Sequence, residues 1–309
     1  MAGVINIITK TQTEGVELQA LGSISSHADA ERYALSAIFG KKLDNAEFLL
    51  GAEYSDQPSL HKGERDWSRE ILSVSGPDNE VIPFGCSAPP WGNHHTTLGR
   101  MTLRDGADGT SAADFRRFTD TDRFNFKPYE DLRQASERLS IFAQGQFEIS
   151  PAVNLFGEAF YHHRDTSQQL APLPFFTNRE VDVAISADNV FNPFKEKITD
   201  SRRRLIEAGP RRFSQDNEAW RFVLGADGAL AEDWFWDASV NIARNETDQL
   251  QTGDMFDSQL RLAVGPSFFD ASGAAVCGTP EAPIVACVPL NVFGPVGSIT
   301  GGMLDFVIA

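Results

Sequence analysis

The sequence predicts an all-β fold: a transmembrane antiparallel β-barrel, represented here by an incomplete arc of about seven to nine strands with long extracellular loops. Three observations predict it. Apolar and polar residues alternate with a period of two over several stretches of roughly ten residues, the length a tilted strand needs to cross hydrocarbon. The breaks inside each pair of stretches are short and polar, whereas the connections between pairs are long. No apolar run approaches the ~18 residues of a spanning helix, so any crossing of a membrane must use strands.

The clearest copy is a hairpin. Leu139, Ile141, Ala143, Gly145, Phe147 and Ile149 alternate with Arg138, Ser140, Gln144, Gln146 and Glu148. After a break at Ser150 and Pro151, Val153, Leu155, Gly157, Ala159 and Tyr161 take one face and Asn154, Glu158 and His162 the other, with Phe156 and Phe160 as exceptions. Earlier in the chain, Val16, Leu18, Ala20, Gly22 and Ile24 alternate with Glu17, Gln19, Ser23 and Ser25. Tyr33, Leu35, Ala37 and Phe39 then lead through a Lys41 to Asn45 turn into Ala46, Phe48, Leu50, Ala52 and Tyr54, with Glu47 and Glu53 opposite; Asp44-Asn45 is turn chemistry. Later, Trp220, Phe222, Leu224, Ala226 and Leu230 precede an Ala231-Glu232-Asp233 break. Trp234, Trp236, Ala238, Val240 and Ile242 follow, alternating with Asp237, Ser239 and Asn241.

Loop lengths assign an orientation. The breaks near Asp44, Ser150 and Glu232 are a few residues each, and the segments at about 55–134, 166–217 and 248–309 are long. Barrels of this type keep short turns on the periplasmic side, which places all three long segments, and the short connection from Ser26 to Glu31, outside without a conflict of parity. Such loops are where binding groups sit. Trp67, Phe84, Trp91, Phe115, Phe124, Phe126, Tyr129, Phe175, Phe176 and Phe268 lie there among Gly, Asp and Arg. They can grip a ligand or pack the loops together.

The chain has 309 residues, 41% hydrophobic and 23% charged, with 27 Lys+Arg against 43 Asp+Glu and a net charge of -16. That balance argues against a nucleic-acid partner, because phosphate binding needs clustered cations. Cys277 and Cys287 enclose a small loop with Pro280 and Pro283, and in an oxidising exterior this reads as a disulfide. No His or third Cys lies within zinc-ligand spacing of them. Cys86 is then either free or paired beyond this chain.

No catalytic, cofactor-binding or metal residue is assigned. The adjacent pairs His94-His95 and His162-His163 point to opposite faces if in strands, which makes neither a metal clamp. No Gly-x-Ser-x-Gly elbow and no phosphate-cradling Gly-x-x-x-x-Gly-Lys loop occurs. Arg202 to Arg204 and Arg211-Arg212, flanking Glu207 and Pro210, read as a solvated or lumen-rim charge cluster.

Gly3-Val4-Ile5-Asn6-Ile7-Ile8-Thr9-Lys10 resembles the closing plug strand of TonB-dependent outer-membrane receptors, which the first barrel strand follows. Asp188 to Phe194 (Asp-Asn-Val-Phe-Asn-Pro-Phe), Cys287 to Gly294 continuing to Gly297-Ser298-Ile299, and Asp122 to Phe126 with Pro128-Tyr129 are similar to stretches of the family's larger-looped members. The resemblance implies a last plug strand over 1–10 and an N-terminal portion of the receptor barrel over 11–309. It implies a protein of the Gram-negative outer membrane, surrounded by lipid, that takes up a scarce nutrient such as a ferric siderophore or a carbohydrate. Energy would come through the TonB complex. Met1 to Lys10 lacks the features of a signal peptide. In the family an export signal, the coupling box and most of the plug precede this point, and closure takes about 22 strands. The chain is therefore expected to be a slice that alone neither transports nor inserts stably. Two other classes fit less well: an outer-membrane barrel enzyme, which needs Ser, His and an acid near a strand end, and a soluble β-propeller, which needs a fixed period of about forty residues.

Overall fold

A computed structural model describes residues 13–75, 77–178, 183–231 and 233–308, and the chain divides into two compact units. The first comprises the chain to Leu60, Arg133–Gln168 and Ser214–Leu250; the second comprises His61–Leu132, Gln169–Phe213 and the chain from Gln251. Residues 1–10, read from the sequence as a plug strand, lie outside the described residues. So does Glu232, in the break between the last two long strands.

The first unit is one sheet of seven strands, each neighbouring the next in sequence. They are β1 (Gly15–Ser23), β2 (Arg32–Lys42), β3 (Ala46–Gln57), β4 (Ala135–Ser150), β5 (Val153–Leu170), β6 (Arg211–Ala231) and β7 (Trp234–Thr252). Each alternating stretch of the sequence falls on one of these strands, the first running past the end of β1 to Ile24 and Ser25, and β1 through β5 pair antiparallel. Among the described residues the sheet does not close, and β1 and β7 are its edges. The β2–β3 turn is tied by Leu43 N–H donating to the Ala46 carbonyl at 2.7 Å, and a register shift between Glu148 and Ser150 ends the β4–β5 ladder. Arg133 donates to the carbonyls of Ala30, Glu31 and Pro58, linking the β1–β2 connection to the exit of β3.

The strands are longer than the alternation suggests. β4 to β7 run for 16, 18, 21 and 19 residues. Backbone pairing continues through polar segments such as Gln215-Asp216-Asn217-Glu218, where both faces are wet and a two-residue hydropathy period disappears. The period reports which face meets apolar surroundings, whereas the ladder needs only backbone partners.

Two aromatics on the polar side of the sheet are explained by register. Phe142 lies over Gly51, where an added Cβ would come within 2.2 Å of its ring, and Phe156 lies over Gly225, with 2.3 Å to its ring. Each ring covers the bare backbone of a glycine on the neighbouring strand. Phe156 is one of the two residues that break the hairpin's alternation; the other, Phe160, stacks at 6.2 Å on His162.

The second unit is where the long connections go. Instead of open loops, they build a core of Phe115, Phe175, Ile185, Ile198, Leu205, Leu260, Val264, Leu290, Val292, Phe293 and Val307. A five-stranded sheet supports it, ordered Pro174–Phe176, Ser201–Arg204, Asn93–Thr96, Gly99–Leu103, Phe115–Arg117. Two short helices, α1 (Asp257–Ala263) and α2 (Gly301–Val307), complete it; the N–H of Phe256, just before α1, donates to the Val307 carbonyl at 2.9 Å.

Candidate functional site

The first unit exposes a continuous apolar face. Cross-strand partners share a face, and the registers align Val16, Phe39, Leu50, Ala143 and Ala159 in one row. The next row is Leu18, Ala37, Ala52, Ile141 and Tyr161, and the next Ala20, Leu35, Tyr54 and Leu139. These side chains are open to the surroundings: Leu18 is 75% exposed, Val16 66%, Leu224 71% and Val240 64%. Isolated exposed leucines are ordinary on a soluble protein, but a contiguous sheet face of them is not. Tyr54 and Tyr161 sit toward the long-connection end of this face, their hydroxyls donating to Glu137 (3.1 Å) and Glu218 (3.2 Å). Phe48, Phe147 and the exposed Trp234 lie toward the short-turn end.

The opposite face is wet. Gln19, Ser36, Glu53, Ser140 and His162 form one row across five strands. Arg221 bridges from β6 to Glu158 on β5 (3.1 Å) and Asn241 on β7 (3.2 Å). Toward the short turns this face lines a cavity of about 750 Å³ with Glu47, Glu148, Asn154, Asp227 and Asp237 among its walls. Ser140 Oγ lies 2.9 Å from His162 Nδ1. A hydrolase triad places its acid on the far nitrogen of the histidine. Here Glu53 aligns with Ser140 instead.

In the second unit, the family-like stretches prove to be structural. Asn189 and Asn192 are buried, and each folds its own turn by accepting from the N–H two residues on, Phe191 at 3.0 Å and Phe194 at 3.1 Å. Their amide nitrogens donate outward, Asn189 to Gly265 (3.0 Å) and Asn192 to Ser186 (2.9 Å) and Glu196 (2.8 Å). Asn291 accepts from the N–H groups of Phe293 (3.1 Å) and Gly294 (3.0 Å). Asp122 takes both terminal nitrogens of Arg116, at 2.8 and 2.6 Å, which hold its carboxyl below the usual range although burial opposes the charge.

The arginine cluster departs from its expected solvated state. Arg203 is fully buried and Arg204 nearly so. Arg203 donates to the Gly294 carbonyl at 2.6 Å, to Pro295 at 3.2 Å and to the Glu207 carboxylate at 2.8 Å. Alternation along Ser201–Arg204 turns Arg203 into the core and Arg202 and Arg204 to the other side, a burial that residue type conceals. Aromatics and guanidinium groups, predicted as possible ligand grips, largely hold each other: Arg123 lies 3.8 Å over the Phe84 ring and Arg204 4.5 Å over Phe126. Phe115 and Phe175 are in the core, while Trp67 is 69% exposed. A cleft of about 310 Å³ remains, lined by Leu173, Pro174, Phe175, Phe176, Met255 and Leu260 with Asp254 and Asp257. A concave surface of this size is large enough for a small molecule.

Cys277 and Cys287 form a disulfide, with Cα atoms 5.8 Å apart, and Cys86 is free. Closing a loop of this size restrains the unfolded chain by about 3 kcal/mol. Reduction is therefore expected to lower the unfolding free energy of this unit by about that amount, measured as the shift of its urea midpoint with and without reductant.

His94 is fully buried against Phe293 (centroids 4.6 Å) and Phe115 (5.9 Å), with Nδ1 at 2.8 Å from Ser201 Oγ and no partner for Nε2. Burial, reinforced by the Arg203 charge, pushes its pKa down from 6.5 to about 3. The folded unit thus keeps the ring neutral while the unfolded chain protonates it below pH 6.5, so stability is full above that value and falls as pH drops toward 3. Unfolding monitored through Trp91 is expected to lose about 2 kcal/mol between pH 7 and pH 5. An unchanged midpoint would mean that the ring ionises in place. His94 and His95 occupy opposite sides of their strand, and no group of three His, Cys, Asp or Glu able to hold a metal occurs among the described residues.

No protein-family model, no curated protein and no solved structure matches the chain.

Proposed function

We propose that the seven-stranded sheet is part of the wall of a transmembrane β-barrel in the outer membrane of a Gram-negative bacterium, and that the protein is a non-enzymatic receptor of the TonB-dependent kind. The continuous apolar face carries this reading. Along β4, Leu139 to Ile149 extend roughly 34 Å at the strand rise, which is about 26 Å along a barrel axis at a tilt of ~40°. The apolar band of outer-membrane barrels is about 25 Å tall and is bounded by aromatic residues at both interfaces. Tyr54 and Tyr161 at one end, and Phe48, Phe147 and Trp234 at the other, suit those girdles. Hydrocarbon tolerates no unpaired backbone groups, so seating the sheet in lipid requires strands that pair with the edges of β1 and β7.

In this reading lipid covers the apolar face, the wet face lines a lumen, and the long connections present an extracellular unit to a small-molecule ligand. The ligand is a scarce nutrient such as a ferric siderophore or a carbohydrate, and the TonB complex supplies the energy for its passage. What supports the family is the sequence resemblance of Asp122–Phe126 with Pro128-Tyr129, Asp188–Phe194, and Cys287–Gly294 continuing to Gly297-Ser298-Ile299 to stretches of its larger-looped members.

Tryptophan fluorescence tests the orientation. With Trp67 and Trp91 replaced by Phe, the chain in micelles of a detergent with brominated tails should lose most of the emission from Trp220, Trp234 and Trp236. A chain that stays monodisperse in water without detergent, with emission untouched by the brominated detergent, would overturn the proposal.

A further inference from the structure

The cleft of about 310 Å³ between the strand Pro174–Phe176 and the start of α1 lies wholly in the second unit, so what it binds is a question separate from the membrane reading. Its floor is the core itself. Phe175 and Leu260 line it while only 2% and 3% exposed, and Pro174, Phe176 and Met255 form its walls. The main chain fixes both sides. Phe175 pairs with Arg203 and Phe176 with Arg202 on the neighbouring strand, Met255 bridges to Ile308, and Phe256 N–H donates to the Val307 carbonyl at 2.9 Å. A hollow with fixed walls takes a ligand without first ordering a loop.

Charge at the cleft is one-sided. Its charged lining consists of two carboxylates, Asp254 and Asp257, and no Lys or Arg. Asp254 is already engaged: it accepts from Gln251 Nε2 and lies 3.7 Å from Arg211 Nη1. Arg211 in turn gives its Nε to the Ala171 carbonyl at 3.0 Å. Asp257, exposed at the first position of α1, makes no ion pair among the described residues. A carboxylate there is ordinary helix chemistry. Its place beside an aromatic hollow is what gives it a second use.

The lining selects among ligand classes. An anion would meet two carboxylates and no lining cation. A metal ion must exchange its water for several oxygens, and no group of three His, Cys, Asp or Glu able to hold one occurs among the described residues. A neutral apolar molecule fills the floor and leaves Asp257 unused.

We propose that this cleft binds a small organic cation. An aromatic or alkyl body packs against Phe175, Phe176 and Leu260, and one ammonium or guanidinium group donates to the Asp257 carboxylate in a charge-assisted hydrogen bond. The volume stands at the lower end of the ~300–1,000 Å³ of ligand pockets, which suits a single ring or a short chain.

The test uses the full chain in neutral detergent micelles with its methionine methyls labelled with carbon-13. Salt is set to about 0.15 M, so that the net charge of -16 does not by itself gather cations. The Met255 methyl reports on the cleft, and Met101, in the core, serves as reference. The probes are 4-phenylbutylamine, 4-phenylbutanol and 4-phenylbutyrate, which share one body and differ in charge. The amine is expected to shift the Met255 methyl saturably and to bind ~10-fold more tightly than either of the others. Asp257→Asn should remove that preference and Asp257→Lys should turn it toward the carboxylate. Asp257 is exposed, so both variants keep the fold, which an unmoved Met101 methyl verifies. A Met255 methyl untouched by the amine, equal affinity for the three probes, or a preference that survives Asp257→Asn overturns the proposal.

Discussion

Replacing Leu224 by Arg is expected to cost about 2–4 kcal/mol of stability in a bilayer, and adding Ile141→Arg should roughly double the loss. Both side chains lie on the apolar face, Leu224 at 71% and Ile141 at 45% exposure. The control is Gln19→Arg on the wet face, paired directly with Ser36 and in the row that holds Glu53. It should change stability by less than about 0.5 kcal/mol. The sign of the first result separates the readings. On a water-soluble sheet a largely exposed leucine replaced by Arg is neutral or improves solubility. In lipid the same change strands a guanidinium in hydrocarbon. The measurement is the urea midpoint of the sheet in vesicles, with strands present that pair with the edges of β1 and β7.

The sheet was legible in the sequence because its two faces meet different surroundings, which stamps a period of two on every strand. Val16, Leu18 and Ala20 against Glu17 and Gln19 announce β1 without any knowledge of its partners. Phe142 and Phe156 could not be read that way. Their reason is a glycine on a neighbouring strand, Gly51 or Gly225, and that pairing exists only once the register is set. Strand ends were hidden for the opposite reason: beyond the apolar section both faces are polar, although the ladder persists.

The second unit was legible only as motifs. Asp188 to Phe194 and Cys287 to Gly294 stood out, but their work is done by Asn189, Asn192 and Asn291, hydrophilic residues that are buried or folded onto backbone. Composition reads such residues as solvated loop. Their partners are carbonyls and N–H groups of the main chain, which leave no trace in residue type. The same holds for the arginines, where one strand turns Arg203 inward and its neighbours away. The disulfide was readable because covalent closure depends on local spacing and on two specific residues.

Arg203 also supports the largest single effect expected in the second unit. Glu207→Ala should destabilise that unit by about 3–5 kcal/mol, because it leaves a buried guanidinium without its counter-charge. The Glu207 carboxylate accepts from Arg203 Nη2 at 2.8 Å and from Gly297 N–H at 3.0 Å, so one side chain neutralises the arginine and fixes the 294–297 segment. Burial presses the Arg203 guanidinium below its ordinary value and Glu207 opposes that pressure. Glu207→Gln keeps an acceptor for both donors while removing the charge, so the gap between the Ala and Gln variants isolates the hydrogen bonds from the electrostatics. The double variant Arg203→Met with Glu207→Ala removes both charges and should lose less than the sum of the single variants, with a coupling of about 1–3 kcal/mol. Urea unfolding followed at Trp91 supplies all four values. A cost below about 1 kcal/mol for Glu207→Ala would mean that solvent reaches Arg203, contradicting its burial.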